Sequence, residues 1–332
     1  MRWTDLFRAA LLCLLCSQAL AGPKPSFLLT ADAWINLHHF LYHSARHALE
    51  PPARGNRLPP RSVDAAAELD DEEARIWRKA LDVYARAARR DLLFDGRMRN
   101  FTQAVAAGEA GQAGASDEAG LFTALREAML VYRRHWWPEH EQCARRRIEE
   151  LEPKLARYGV QMRQRMESRY GAEWPRDGIL VALTPYADER GAYTTSGGAV
   201  GNLIVFSCED PRYVDMAGFE MLFHEAGHAE PFSTRIGRAS QQAAERHGVA
   251  EGRLWHHYLF HATAAALREL VGDGYRSYAD AQGLWRRPST ARLPAWFEAA
   301  WTRQPELDAL FDHVHARRAA AAAEEGPPPG GP

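Results

Sequence analysis

The chain has 332 residues, of which 46% are hydrophobic, enough for a sizeable core in one large domain or two. Its 41 basic and 43 acidic residues nearly balance, which excludes a general basic field for holding nucleic acid and any strong acidic field.

The first residues read as an export signal. Arg2 and Arg8 supply positive charge, and an apolar run over 9–15 continues through Ala19-Leu20-Ala21. The small residues Ala19 and Ala21 fit cleavage before Gly22. The run is too short to anchor in a bilayer. Leu15, before Cys16, is not the small residue that a lipoprotein signal requires. Residues 1–21 are therefore expected to be a signal peptide, and the mature chain to be periplasmic or extracellular. Cleavage would leave Cys143 and Cys208, which could form one disulfide or remain two buried thiols. The mature chain has no CxxC, which argues against a cysteine zinc site.

Residues 28–49 read as a helix rich in His and aromatics, ended by Glu50-Pro51-Pro52. A Pro/Gly/Arg loop runs to Ser62. Asp70-Asp71-Glu72-Glu73 then places acid at the start of a helix reaching about 90, with Ile76, Ala80, Val83, Tyr84 and Ala87 on its apolar face. Residues 106–119, rich in Ala, Gly and Ser, read as a flexible loop. Helix resumes over 121–136, and a longer one is expected over 139–170, where Pro153 marks a kink or a start. The Trp136-Trp137 pair fits either a substrate cleft or the core, and Arg145-Arg146-Arg147 a solvated helix face.

The pattern then changes. Ile179-Leu180-Val181-Ala182-Leu183, Ala192-Tyr193-Thr194-Thr195 and Leu203-Ile204-Val205-Phe206 are strand candidates, and glycines between the last two suit a hairpin. Those glycines lack the Lys-Ser/Thr and the following helix of a phosphate loop. Helices are expected over 215–229, 254–270 and 306–322, with a Gly/Pro tail. The fold class is α+β, mainly helical, with a small antiparallel sheet or hairpin before the helix at 215–229. One domain spans 22–323, in a helical part (22–175) and a hairpin-containing part (176–323), and 324–332 is a disordered tail. No repeat, no membrane span after the signal and no GxSxG elbow is present.

The chemistry concentrates in His224-Glu225-Ala226-Gly227-His228. Four residues apart on a helix, two imidazoles share one face and can grip one zinc ion. Glu225 points beside the metal, where it can take a proton from an activated water. Met221-Leu222-Phe223 predicts a buried helix, small Ala226 and Gly227 allow close approach, and Pro231 ends the helix soon after His228.

This segment resembles the zincin metallopeptidases, in which HExxH sits on the active-site helix and an edge strand binds extended substrate. HEAGHA is also similar to the version in membrane-bound AAA proteases, although this chain has no ATPase module. Glu230 departs from the pattern, since zincins usually carry an apolar residue there. Asn36-Leu37-His38-His39-Phe40-Leu41-Tyr42, Asp91-Leu92-Leu93-Phe94-Asp95, His135-Trp136-Trp137-Pro138 and Leu254-Trp255-His256 resemble segments of uncharacterised exported bacterial HExxH proteins. The likeness implies a gluzincin-like, zincin-like domain with a third ligand, a Glu, in the middle of the helix at 254–270. This chain has Ala264-Ala265-Ala266 there.

His257, His261, Ala265 and Glu269 share one face of that helix. His261 is the first candidate for the third ligand, Glu269 the next, and His257 follows. Tyr275, Tyr278, His38 and His39 are candidates for stabilising a developing oxyanion, or else structural residues. The expected function is an exported zinc-dependent hydrolase, a peptidase, with Glu225 as general base. Its partners would be a peptide or other small hydrolysable substrate. The alternative is a non-catalytic metal- or peptide-binding protein of the cell envelope on a degenerate zincin fold, motivated by the alanine run.

Overall fold

The computed structural model describes residues 26–49, 69–88, 92–111, 120–188, 191–303 and 305–325. The expected signal peptide, the loop before Ser62, most of the loop at 106–119 and the Gly/Pro tail lie outside the described residues.

The first element is strand β1 (Phe27–Thr30), in residues expected to begin a helix. The helix α1 (Ala33–Leu49) starts only after Asp32, whose Oδ1 accepts from Ile35 N at 2.8 Å as a side-chain cap. Then follow α2 (Asp71–Ala87), α3 (Gly96–Ala106), α4 (Leu121–His135) and α5 (Trp137–Tyr170). The expected acid-rich start is a capping box at α2, with Asp70 and Glu73 exchanging hydrogen bonds. Pro153 does not break α5; it lies on the exposed face, where water can satisfy the freed carbonyl.

Strands β2 (Ile179–Thr184), β3 (Ala192–Gly198) and β4 (Gly201–Ser207) complete a four-stranded sheet in the order β1-β2-β4-β3. The hairpin β3–β4 is antiparallel as expected, but β1–β2 and β2–β4 pair in parallel, so the sheet is mixed. The apolar run at β2 accounts for this. Ile179, Val181 and Leu183 face one core while Leu180 and Ala182 face another, as Ile204 and Phe206 against Leu203 and Val205 do on β4. A strand buried on both faces suits the centre of a sheet covered by helices on both sides. Helices α1, α2 and α4 build one cover.

The other cover comes from α5 with α6 (Met216–Ala226), α7 (Phe232–Arg246), α8 (Leu254–Val271), the short α9 (Tyr278–Ala281), α10 (Leu293–Arg303) and α11 (Leu307–Glu325). The fold is α+β and mainly helical. Among the described residues no helix is long and apolar enough to cross a membrane.

Cys143 on α5 and Cys208 after β4 form a disulfide. Arg147 reinforces it, donating to Cys208 O at 3.2 Å and to Tyr213 O at 2.5 Å. Arg147 is thus buried rather than part of a solvated face, because these loop carbonyls need a donor, while Arg145 stays exposed beside Glu141. Trp136 is core, stacked on Trp77 with ring centroids 4.2 Å apart.

Candidate metal centre

Helix α6 carries the motif through the core: Gly218 to Ala226 are all buried. Regular α-helix stops at Ala226, two residues before the second histidine. Gly227 N donates to His224 O (3.0 Å), His228 N to Glu225 O (3.0 Å) and Ala229 N to Ala226 O (3.0 Å), the i to i−3 pattern of a tightened last turn. The Asn202 side chain pins the chain just beyond, accepting from Glu230 N at 3.0 Å and donating to Glu230 O at 2.7 Å. The Glu230 carboxylate accepts from Ser233 and Thr234 at the start of α7.

Three imidazoles converge here. His224, His228 and His256 form the one group of potential metal ligands among the described residues, with ligand atoms all within 4.8 Å of one another. Ring centroids are 5.1 Å apart for His224–His228, 5.3 Å for His224–His256 and 5.0 Å for His228–His256, a nearly equilateral triangle. His224 stacks on Phe260 at 4.0 Å and His228 meets Trp255 edge-on at 5.3 Å, so packing from α8 orients both rings.

Burial holds His224 well below its ordinary pKa, helped by His228 and His256, and pushes His228 down to about 4. Both rings are therefore neutral near pH 7 with a lone pair to give, and His224 Nδ1 has no hydrogen-bond partner. An all-imidazole set of this kind suits zinc, which takes neutral nitrogen ligands from three protein residues and leaves a position open.

Glu225 lies beside the triad. Thr194 Oγ1 on β3 sits 2.7 Å from its Oε2, as donor, and 2.8 Å from its backbone O. Burial raises the Glu225 carboxyl to about 7, the Thr194 hydrogen bond pulling the other way. The group is thus poised to accept and release a proton near neutrality. It opens with the histidines onto a cavity of about 500 Å³ whose walls include Thr194, Trp255, Phe260 and Tyr278.

Helix α8 brings His256, which none of the expected third ligands anticipates. His261 lies five residues on, about 140° around the helix. It is buried against Phe297, with Nε2 3.6 Å from Glu298 Oε2. Burial first, then Arg169 and Arg268, hold it down to about 3. Glu269 is ion-paired to Arg165 (2.9 Å) and Arg169 on α5. His257 turns its Nδ1 to Arg253 O at 3.0 Å. The expected face was one residue out of phase, about 100° away.

Of the candidates for oxyanion stabilisation, only Tyr278 lines the cavity. Its hydroxyl has no hydrogen-bond partner among the described residues, and burial pushes it up to about 12, so it keeps its proton. Tyr275 instead donates to the buried Glu220 Oε2 at 2.7 Å. His38 bridges Tyr84 and Thr102, both at 3.0 Å, and His39 bonds Ile35 O at 2.7 Å and Tyr193 OH at 2.9 Å. These two histidines are satisfied core groups between α1 and its neighbours.

Comparison of the chain with protein-family models, with curated proteins and with solved structures finds no match.

Proposed function

We propose that the protein is an exported zinc-dependent hydrolase acting on peptides. The observation that carries this reading is the convergence of His224, His228 and His256 beside the buried Glu225, on a cavity open to a small substrate. The three imidazoles would hold the ion. Zinc, when bound, supplies a Lewis acid that polarises a carbonyl and acidifies water.

The chain's own groups divide the rest of the work. Glu225 takes the proton of the attacking water and returns it to the leaving amine, the place beside the three imidazoles serving both transfers. Thr194 fixes that carboxyl. Tyr278 donates its hydroxyl to the carbonyl oxygen as negative charge develops there. β3 is the free edge of the sheet beside Glu225 and offers backbone groups to an extended peptide. The alanine run at 264–266 motivates a non-catalytic binding protein; a third imidazole from His256 weighs against it. Export is supported by the N-terminal pattern and by the Cys143–Cys208 disulfide, a bond of oxidising compartments.

The test is Glu225→Gln, assayed for peptide hydrolysis and for bound zinc. Hydrolysis is expected to fall by at least about 10²-fold while about one zinc per chain stays bound. Retained hydrolysis would overturn the role of Glu225, and no zinc in folded, zinc-supplied protein would overturn the reading itself.

A further inference from the structure

The cavity has a charge that the chain as a whole lacks. The full sequence is nearly neutral, yet the charged residues lining this cavity are Arg99, Arg212 and Arg253 against Glu225 alone. Arg212 is committed, with Nε and Nη2 both on Asp210. Arg99 spends one nitrogen on Leu93 O and has no ion pair among the described residues. The exposed Arg253 side chain has no partner among them at all.

Arg253 is also held in an unusual place. It precedes α8 with φ 60°, one of two described non-glycine residues in the left-handed region, the other being Asp215. Its backbone O accepts from His256 N at 3.0 Å, so the turn that begins the His256 helix also sets a cation at the cavity wall. Backbone held in a sparsely populated conformation is typical of sites where a side chain must be aimed.

The edge strand is short of free length. Gln103, one turn beyond Arg99 on α3, donates to Thr195 O and to Gly201 O, both at 3.1 Å, and accepts from Val200 N at 3.1 Å. A Cβ on Gly198 would lie 2.5 Å from Gln103 Cγ, so this side chain lies flat on the hairpin. The stretch of β3 that lines the cavity is Ala192–Thr194, room for the end of a peptide rather than for a long segment. Phe94, Trp255 and Phe260 supply an apolar wall for a side chain.

We propose that Arg253, with Arg99, binds the carboxylate of a short peptide, so that the site reads a free C-terminus bearing an apolar side chain. The bond that is cut rests on the hydrolase reading above; the preference for a carboxylate does not. An acidic side chain offers the same chemistry, and the experiment separates the two.

Glu225→Gln protein, zinc-loaded and again after EDTA treatment, is titrated calorimetrically with acetyl-Ala-Ala-Phe, with its C-terminal amide and with acetyl-Ala-Glu-Phe amide. The free acid is expected to bind at least about tenfold tighter than its amide with and without zinc, the factor one charge-assisted hydrogen bond supplies. Adding Arg253→Ala, an exposed substitution that leaves no buried group unpaired, is expected to remove most of that preference, and Arg253→Lys to restore part of it. Equal affinity for acid and amide overturns the proposal, as does a preference that vanishes with zinc or ignores Arg253→Ala. Binding of the glutamate-containing amide as tight as that of the free acid overturns the terminal assignment. Protein that takes up no zinc sinks the hydrolase reading, while the EDTA arm still reads the anion preference.

Discussion

His256 and His261 sit five residues apart on α8, the first half-buried and the second buried, and a pair of substitutions separates their roles. His256→Ala removes one of three converging imidazoles and is expected to weaken zinc binding by at least about 100-fold, more than losing a residue that merely supports a ligand. His261→Ala removes a ring packed on Phe297. It is expected to leave zinc affinity within about threefold and to cost stability instead, as emptied core positions do. Zinc titration and urea unfolding of both variants check this, and the opposite ranking would return the third ligand to His261. At this scale the spacing of His224, Glu225 and His228 was readable because a short motif encodes its own geometry. The third imidazole was not. Its place depends on how α8 is rotated against α6, which no spacing within α8 records. Tyr278 was readable only as one of four candidates, because Glu220, Phe260 and Tyr213, which hold it in place, belong to other elements.

That rotation is fixed by contacts between elements. α8 is tied to α5 by Tyr258 OH donating to Arg169 O at 2.7 Å, by the 3.1 Å contact of Tyr170 OH with Thr263 Oγ1, and by Glu269 with its two arginines. α6 meets this pair at Gly227, where an added Cβ would lie 2.8 Å from Leu259 Cδ2 and 2.9 Å from Tyr170 OH. Gly227→Ala is therefore expected to lower stability. Overpacking of about 1–3 kcal/mol outweighs the gain from replacing a glycine in αR backbone just past α6, about 0.4–1 kcal/mol. Because Leu259 is three residues from His256, the same change should also weaken zinc binding. Urea unfolding with zinc titration checks both, and an unchanged zinc affinity would uncouple the packing of α8 from the site. Most helices were legible from their period and caps, and the β3–β4 hairpin from its glycines. β1 was not, since three apolar residues and a threonine shortly before a helix carry no period of their own. The parallel pairing of β2 was written in its apolar run, but choosing its partners takes the tertiary fold.

Over the whole molecule, the Cys143–Cys208 link joins α5 to the loop between β4 and α6, across 65 residues that include the whole hairpin. Closing a loop of that length removes chain entropy worth about 4 kcal/mol from the unfolded state. Replacing both cysteines by serine is expected to lower unfolding free energy by up to about that amount, measured by urea denaturation. A loss near zero would mean that Arg147 and the surrounding core hold the loop unaided. The sequence offered the two cysteines but not their proximity, which depends on the stacking of sheet against helix.

The lock that Gln103 places on the hairpin has another consequence. β3 is an edge strand, and an uncovered edge invites pairing with the same edge of a second molecule. Gln103 occupies Thr195 O on β3, and its bonds to Gly201 O and Val200 N fasten that strand to the turn and to the start of β4. A second copy that extended β3 past the cavity stretch Ala192–Thr194 would therefore have to displace Gln103 at Thr195.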